Sequence, residues 1–209
     1  MKKLLFVNCC VRPASRTRRL AESYLEAVRA AGEFEIEEVF VPELGLKPFD
    51  AAMLAARNAD VEAKRMDGEA YALARQWKAA DRIVIAAPFW DISFPSMLKV
   101  YFEHISVERL TFGFGPGGRQ KFCKADKLVY IASCGGPLAE NNSLKAFVGE
   151  LAEMFAVDSW SFHCAEKMDS DPDHMEENLA KAAEKLLAVD TSSSYFRYFY
   201  YNITNIRNQ

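Results

Sequence analysis

The chain has 209 residues, of which 50% are hydrophobic and 26% are charged, as is typical of a globular protein with one buried core. A formal net charge of −3 gives no reason to expect nucleic acid or an anionic membrane surface as a partner. No apolar run approaches the roughly 18 residues that a membrane-spanning helix needs, so we expect a cytoplasmic protein.

The five cysteines show neither a disulfide framework nor a metal-binding pattern. None of them forms a C-x-x-C pair, and the three histidines have no zinc-ligand spacing. We therefore expect no metal site and no structural disulfide. Adjacent Cys9 and Cys10 leave two interpretations open: a redox pair, or small reduced residues that are partly buried, which is the more common role.

Predicted strands and helices alternate along the first 190 residues. The strands are predicted at Lys2–Asn8, Phe34–Val41, Ile83–Ala87, Leu128–Ala132 and Ser159–His163. Helices are predicted from Ser15 or Thr17 to Ala31, as short pieces over 51–66, over Gly68–Ala80, after an N-cap at Ser93 to Ile105, from Asn142 or Ser143 to Phe155, and after Asp171 or Asp173 to Ala188. A short hairpin is predicted around Thr111–Phe114.

This alternation predicts a doubly wound α/β sheet with helices on both faces. Two strand orders suit five parallel strands, 2-1-3-4-5 and a half-Rossmann order, and periodicity does not choose between them. In both, ligands bind beyond the carboxyl ends of the strands where the strand order reverses. In the 2-1-3-4-5 order, the loops after strands one, three and four would line one pocket.

The loop after strand one contains Arg12, Ser15 and Thr17 and leads into a helix. A helix N-terminus, two hydroxyl groups and an arginine are the groups that bind a phosphate. The alternative is that Ser15 only caps the helix and that the arginines are solvated. Neither G-x-G-x-x-G nor G-x-x-x-x-G-K is present in this loop, which weakens a dinucleotide or ATP interpretation.

The other two loops have compositions that suit a flat ligand. Pro88, Phe89, Trp90, Asp91 and Ile92 follow the third strand, and the two aromatic rings could cover a planar ring. Packing of those rings in the core is the simpler alternative.

The loop after the fourth strand reads Ser133, Cys134, Gly135 and Gly136. Two glycines suit backbone that passes close to a flat group. A tight turn is the alternative.

Together these segments resemble the flavodoxin-like family of FMN-dependent NAD(P)H quinone reductases and azoreductases. The likeness is carried by the first strand with its S-x-T helix start, by A-P-F-W-D-I-S-F-P-S-M-L-K-V-Y-F, by the following L-T-F and by S-C-G-G. It covers about residues 2–187. The resemblance implies a flavodoxin-like five-stranded sheet in the order 2-1-3-4-5.

The family resemblance also implies a site and a chemistry. Arg12, Ser15 and Thr17 would hold the FMN phosphate, Pro88 to Ile92 would run along the isoalloxazine ring, and Ser133 to Gly136 would contact its pyrimidine edge. FMN fits this loop better than FAD. NAD(P)H would be the electron donor and a quinone or azo compound the acceptor, with the chemistry carried by the flavin and no dedicated catalytic acid or base.

Three residues depart from the family pattern. Asp91 stands where Asn is common, Trp90 replaces Tyr, and Cys134 replaces a larger polar residue. These departures bear on the substrate and the redox potential more than on the cofactor. A carrier of electrons without catalysis, or a binding or regulatory module on the same scaffold, are the alternatives to an enzyme.

The sequence divides into a domain at residues 1–190 and an aromatic tail at residues 191–209. Six aromatic residues fall within Tyr195–Tyr201, which is too many to leave in water. Two interpretations remain open: the tail packs on the partner of a homodimer near the active site, as the resemblance implies, or it covers its own domain.

Overall fold

The computed structural model describes the backbone of residues 1–190 and the side chains of residues 1–188. The predicted packing of the tail, residues 191–209, lies outside the described residues. The strands are β1 (Lys2–Asn8), β2 (Phe34–Phe40), β3 (Arg82–Ala86), β4 (Phe114–Gly115), β5 (Gly118–Arg119), β6 (Lys127–Ser133) and β7 (Ser159–Ala165). The α-helices are α1 (Arg16–Ala31), α2 (Ala51–Glu62), α3 (Ala72–Ala79), α4 (Ser96–Ile105), α5 (Ser143–Met154) and α6 (Met175–Asp190).

Five of the strands form one parallel sheet in the order β2-β1-β3-β6-β7. Leu5 lies opposite Ile83, and Val84 lies opposite Val129, so the three central strands are in register over their apolar residues. When only the five strands of this sheet are numbered in chain order, the arrangement is 2-1-3-4-5, as expected from the family resemblance. The strand order reverses between β1 and β3, which places a crevice at their carboxyl ends.

The apolar composition of the central strands follows from helices that cover both faces of the sheet. On one face, Leu4, Phe6 and Val84 pack with residues of α1 and α6, including Leu20 and Leu186. On the other face, the side chains that alternate with these pack against α3, α4 and α5. Because each fully buried Leu, Val or Phe contributes about 1.5–3 kcal/mol, these two clusters account for much of the stability of the fold.

The helix that follows β3 begins later than predicted. Its N-cap residue is Pro95, whose side chain can neither donate nor accept a capping hydrogen bond. The predicted cap at Ser93 is wrong. Ser93 instead exchanges two backbone hydrogen bonds with Trp90, of 3.0 Å and 2.8 Å. This pairing closes a tight turn before the helix starts.

Three further predictions need correction. Residues 51–66 contain one helix, α2, rather than several short pieces, because Asp50 caps it and accepts a hydrogen bond from Met53 N. The segment before α3 opens with a 3₁₀ turn at Glu69–Tyr71. The hairpin lies at β4 and β5, C-terminal to the predicted position, with its turn at the Pro-Gly of residues 116–117.

Within residues 1–190, no helix is long and apolar enough to cross a membrane.

Candidate functional site

Three loops meet at the carboxyl ends of β1, β3 and β6, and backbone hydrogen bonds hold them together. Cys9 N donates to Ala86 O at 2.8 Å, which ties the loop after β1 to the end of β3. Phe89 N donates to Ser133 O at 3.0 Å, which ties the loop after β3 to the end of β6. The parallel sheet therefore continues for a few residues into the loops and fixes their relative positions.

A cavity of about 560 Å³ lies among these loops, within the range of small-molecule sites. Nine of the twelve residues predicted for the site line it: Arg12, Ser15, Thr17, Pro88, Phe89, Trp90, Ser133, Cys134 and Gly135. The structure does not place Asp91, Ile92 or Gly136 in the lining. Seven lining residues were not predicted: Cys10, Val11, Pro13, Ala14, Arg16, Met168 and Asp169.

The first wall of the cavity is the N-terminus of α1. Ser15 is the N-cap and accepts a hydrogen bond from Arg18 N at 3.2 Å. Thr17 is fully buried, and its hydroxyl shares a hydrogen bond of 2.6 Å with the hydroxyl of Ser133 across the cavity floor. A 16-residue helix with its positive end at a cavity favours an anion there.

The charges on the wall differ between its two arginines. Arg16 Nη1 lies 2.5 Å from Asp169 Oδ1, so its charge is paired. The side chain of Arg12 is exposed and has no ion pair or hydrogen bond within residues 1–188. Arg12 is therefore the positive side chain of this lining that an incoming anion can neutralise.

The loop after β3 contains a two-residue turn with left-handed backbone at both positions. Asp91 has φ of 49° and Ile92 has φ of 63°. A β-branched residue in this region is strained, by roughly 1–2 kcal/mol, and the two Trp90–Ser93 hydrogen bonds hold it in place. Both side chains are exposed, Ile92 by 76%, so the carboxylate of Asp91 lies at the rim of the loop rather than in the cavity.

The loop after β6 is packed against the segment that follows β7. Gly135 O accepts hydrogen bonds from Asp169 N at 3.0 Å and from Ser170 N at 2.9 Å. A Cβ at Gly135 would lie 2.6 Å from Asp169 Oδ2, so any larger residue at this position would require the Asp169 carboxylate to move. A Cβ at Gly136 would meet no described atom within 4 Å, so the packing of the protein itself does not require glycine at this position.

The residues that were missed belong to two classes. Cys10, Val11, Pro13, Ala14 and Arg16 are neighbours of predicted residues in the loop after β1. Met168 and Asp169 come from the loop after β7, which no sequence motif marked. Their signal was topological: β7 lies next to β6, so its following loop reaches the same edge of the sheet.

Comparison with known proteins agrees with this arrangement. The profile of a family described as "Flavodoxin-like fold" matches residues 2–189. A relative from Clostridium acetobutylicum, named FMN-dependent NADH:quinone oxidoreductase 2, is 31% identical over 144 residues, covering 67% of this chain and 71% of the relative. A second, from Coprothermobacter proteolyticus and named FMN-dependent NADH:quinone oxidoreductase, is 27% identical over 193 residues, covering 88% and 96%.

Among solved structures, an azoreductase from Bacillus anthracis superposes with a TM-score of 0.78 at 22% identity. The superposition covers 90% of this chain and 98% of that chain. At this identity the likeness bears on the fold, and it extends over nearly all of the described residues.

Proposed function

Since this chain belongs to the flavodoxin-like fold family, we propose that it is an FMN-dependent NADH:quinone oxidoreductase that also reduces azo compounds. One observation supports this function above all. The cavity lies where the strand order reverses and combines a helix N-terminus with the unpaired Arg12 and an aromatic wall. A ligand with a phosphate and a planar ring system matches these features, because the phosphate suits the helix N-terminus and Arg12 and the ring suits the aromatic wall.

The phosphate of FMN would bind at the loop after β1. The first N–H groups of α1 point to this end of the cavity, and Arg12 supplies a positive charge that no carboxylate of residues 1–188 neutralises. Ser15 already caps the helix, so its role would be to hold the loop in shape. Thr17 and Ser133 would fix the cavity floor through their shared hydrogen bond.

The ring would lie along the loops after β3 and β6. Pro88, Phe89 and Trp90 are half-buried and form an apolar wall that excludes water from one side. Ser133, Cys134 and Gly135, next to this wall, would present polar backbone and side-chain groups to the ring. Asp91, Ile92 and Gly136, outside the lining, are proposed as the rim of the same site.

FMN, when bound, supplies the capacity to accept a hydride from NADH and to pass the electrons to a quinone or azo acceptor. The chain's own residues then bind, orient and shield. No lining residue has to act as a dedicated acid or base, since the carboxylate of Asp169 is paired with Arg16 and that of Asp91 lies outside the cavity. Donor and acceptor would use the same face of the site in turn, which gives ping-pong kinetics.

We also propose a homodimer with the site near its interface. Ile92 and Phe114 are exposed by 76% and 68%, which is unusual for large apolar side chains. A second cavity of about 470 Å³ is lined by apolar side chains that include Phe102 and Phe147, and by the charged residues Arg57, Lys99 and Glu103. Light scattering on a size-exclusion column tests the dimer.

Two further statements remain predictions: residues 1–190 form one flavin-binding domain, and the protein is located in the cytoplasm.

The function is tested by steady-state oxidation of NADH with benzoquinone as acceptor, with and without added FMN. We expect turnover that depends on FMN and parallel double-reciprocal plots as the quinone concentration is varied. A protein that binds FMN but leaves NADH unoxidised would be an electron carrier. A protein that binds no FMN would be a module that retains only the scaffold.

A further inference from the structure

Two cysteines from neighbouring strands meet at the edge of the candidate site. Cys134 follows β6 and Cys164 lies in β7, and their sulfur atoms are 3.5 Å apart. The backbone between them is fixed, because Cys134 N donates a hydrogen bond of 2.9 Å to Ala165 O. Both are free thiols. A disulfide of about 2.05 Å would need the sulfur atoms to approach by only about 1.5 Å.

The two cysteines line different cavities, although Cys134 is only 6% exposed and Cys164 is half-buried. Cys134 lines the candidate flavin cavity. Cys164 lines a neighbouring cavity of about 220 Å³, whose walls include the charged side chains of Lys145 and Glu166.

The contact between the sulfurs lowers the pKa of Cys134 and, together with burial, raises the pKa of Cys164 well above its ordinary value. The thiol of Cys164 donates a hydrogen bond to the Cys134 sulfur, which lowers the pKa of Cys134 below its ordinary value against opposing effects of burial and of the Glu166 and Asp169 carboxylates. Burial instead raises the pKa of Cys9 and of Cys123 to about 12. Because the thiolate is the reactive form, Cys134 is the thiol most open to oxidation among these three.

The other cysteines do not offer a comparable pair. Cys9 packs into the core on one face of the sheet and Cys10 into the core on the opposite face, so a redox pair between them is not supported by their positions. Cys123 donates a hydrogen bond to Thr111 O at 3.1 Å.

We propose that Cys134 and Cys164 form a modification site that hydrogen peroxide converts into an intrachain disulfide. The Cys134 sulfur attacks one peroxide oxygen, the O–O bond breaks, one water leaves and a sulfenic acid forms. The Cys164 sulfur then attacks the Cys134 sulfur, the S–S bond forms, the S–O bond breaks and a second water leaves. The two thiols lose two electrons and two protons, and one peroxide is reduced to two waters.

This chemistry needs no flavin and does not depend on the proposed function. The disulfide would, however, join the loop that carries Ser133 and Gly135 to strand β7 beside the cavity. Oxidation is therefore placed where it can act on the contents of that cavity.

The test is mass spectrometry of the purified full-length protein after graded additions of hydrogen peroxide, with and without saturating FMN. We expect the five thiols to fall to three, a loss of two hydrogens from the intact mass, and one peptide pair that links Cys134 to Cys164. Dithiothreitol should restore all five thiols. The same bond is expected with or without FMN, so failure to bind flavin would not be mistaken for failure of the dithiol.

Two serine variants separate this pair from general thiol oxidation. Cys164→Ser should abolish the intrachain disulfide and leave Cys134 as a sulfenic acid that a dimedone probe traps. Cys123→Ser, the matched control, should form the same disulfide as the natural chain. A bond between other cysteines in the natural chain, or oxidation of Cys134 to the sulfinic acid while Cys164 stays a thiol, would overturn the proposal without relying on any variant.

Discussion

Replacing Arg12 with Ala tests whether the loop after β1 binds a phosphate. Arg12 is exposed and makes no contact with another charged side chain within residues 1–188, so the variant should fold as the natural chain does. Two unit charges about 4 Å apart attract each other by roughly 1 kcal/mol in water and roughly 4 kcal/mol near a protein surface. Exposure and salt reduce the larger figure, leaving about 1–2 kcal/mol. This corresponds to a loss of FMN affinity of about 5- to 30-fold.

The assay is fluorescence titration of the flavin-free protein with FMN and, separately, with riboflavin. Riboflavin lacks the phosphate, so Arg12→Ala should weaken FMN binding and leave riboflavin binding unchanged. Arg119→Ala removes the same charge from β5, away from the cavity, and controls for net charge. Equal weakening of FMN and riboflavin, or no weakening of either, would refute a phosphate role for Arg12.

Three further predictions follow from individual contacts. In a double-mutant cycle, Thr17→Val and Ser133→Ala should show a coupling of about 1 kcal/mol in the free energy of unfolding, because their 2.6 Å hydrogen bond is partly buried; additive effects would contradict this. Tyr101→Phe should raise the free energy of unfolding by about 1–2 kcal/mol in denaturant titrations, since the fully buried hydroxyl has no hydrogen-bond partner among the described residues; a loss of stability would show a missing partner. Asp171→Asn should lower the pKa of His174, measured by NMR, because the 2.8 Å contact with the Asp171 carboxylate raises it above 6.5; an unchanged pKa would contradict the ion pair.

The sign of the last effect fixes where it acts on stability. The raised pKa of His174 means that its contribution is complete below about 6.5 and is lost as the pH rises through the folded-state value. The same contact lowers the pKa of Asp171, so that contribution is present above its ordinary value and is lost as the pH falls through the folded-state value. His174 is exposed and Asp171 is partly exposed, so we expect a clear NMR titration and little change in melting temperature.

The fold was predictable from sequence to an unusual depth, since the buried strand runs are short, apolar and bounded by turn residues. β1 and α1 lie where the sequence placed them, with Ser15 as N-cap and Gly32 in the left-handed conformation after the last turn. The strand order was not predictable from periodicity, because both candidate orders use the same apolar runs. It required the family resemblance.

Local chemistry explains the errors. Serine is a common N-cap residue, yet the N-cap of this helix is Pro95. The backbone N–H and C=O of Ser93 are instead hydrogen-bonded to Trp90. The turn between them places Asp91 and Ile92 in left-handed conformations; Asp tolerates this region, but a β-branched residue rarely adopts it, so the propensity of Ile92 gave no sign of the turn. Tertiary pairing overrides local preference at this position.

The site was predictable only where neighbouring strands carry unusual loops. Arg12 and Phe89 belong to such loops, Ser133 ends the strand before another, and all three line one cavity. Asp169 and Cys164 could not be found in this way, because their relation to the site depends on the register of β6 and β7 rather than on any motif. A sequence pattern does not show which residues at the ends of two adjacent strands lie next to each other.

The central claim is that FMN bound in this cavity mediates electron transfer from NADH to a quinone. The most direct test is the absorbance spectrum of the FMN-loaded protein under anaerobic conditions, recorded after one equivalent of NADH and again after one equivalent of benzoquinone. We predict that the oxidised flavin band disappears with NADH and returns in full with the quinone, within the time of one turnover. A band that is unchanged by NADH, or that is lost with NADH and not restored by the quinone, would contradict the proposed function.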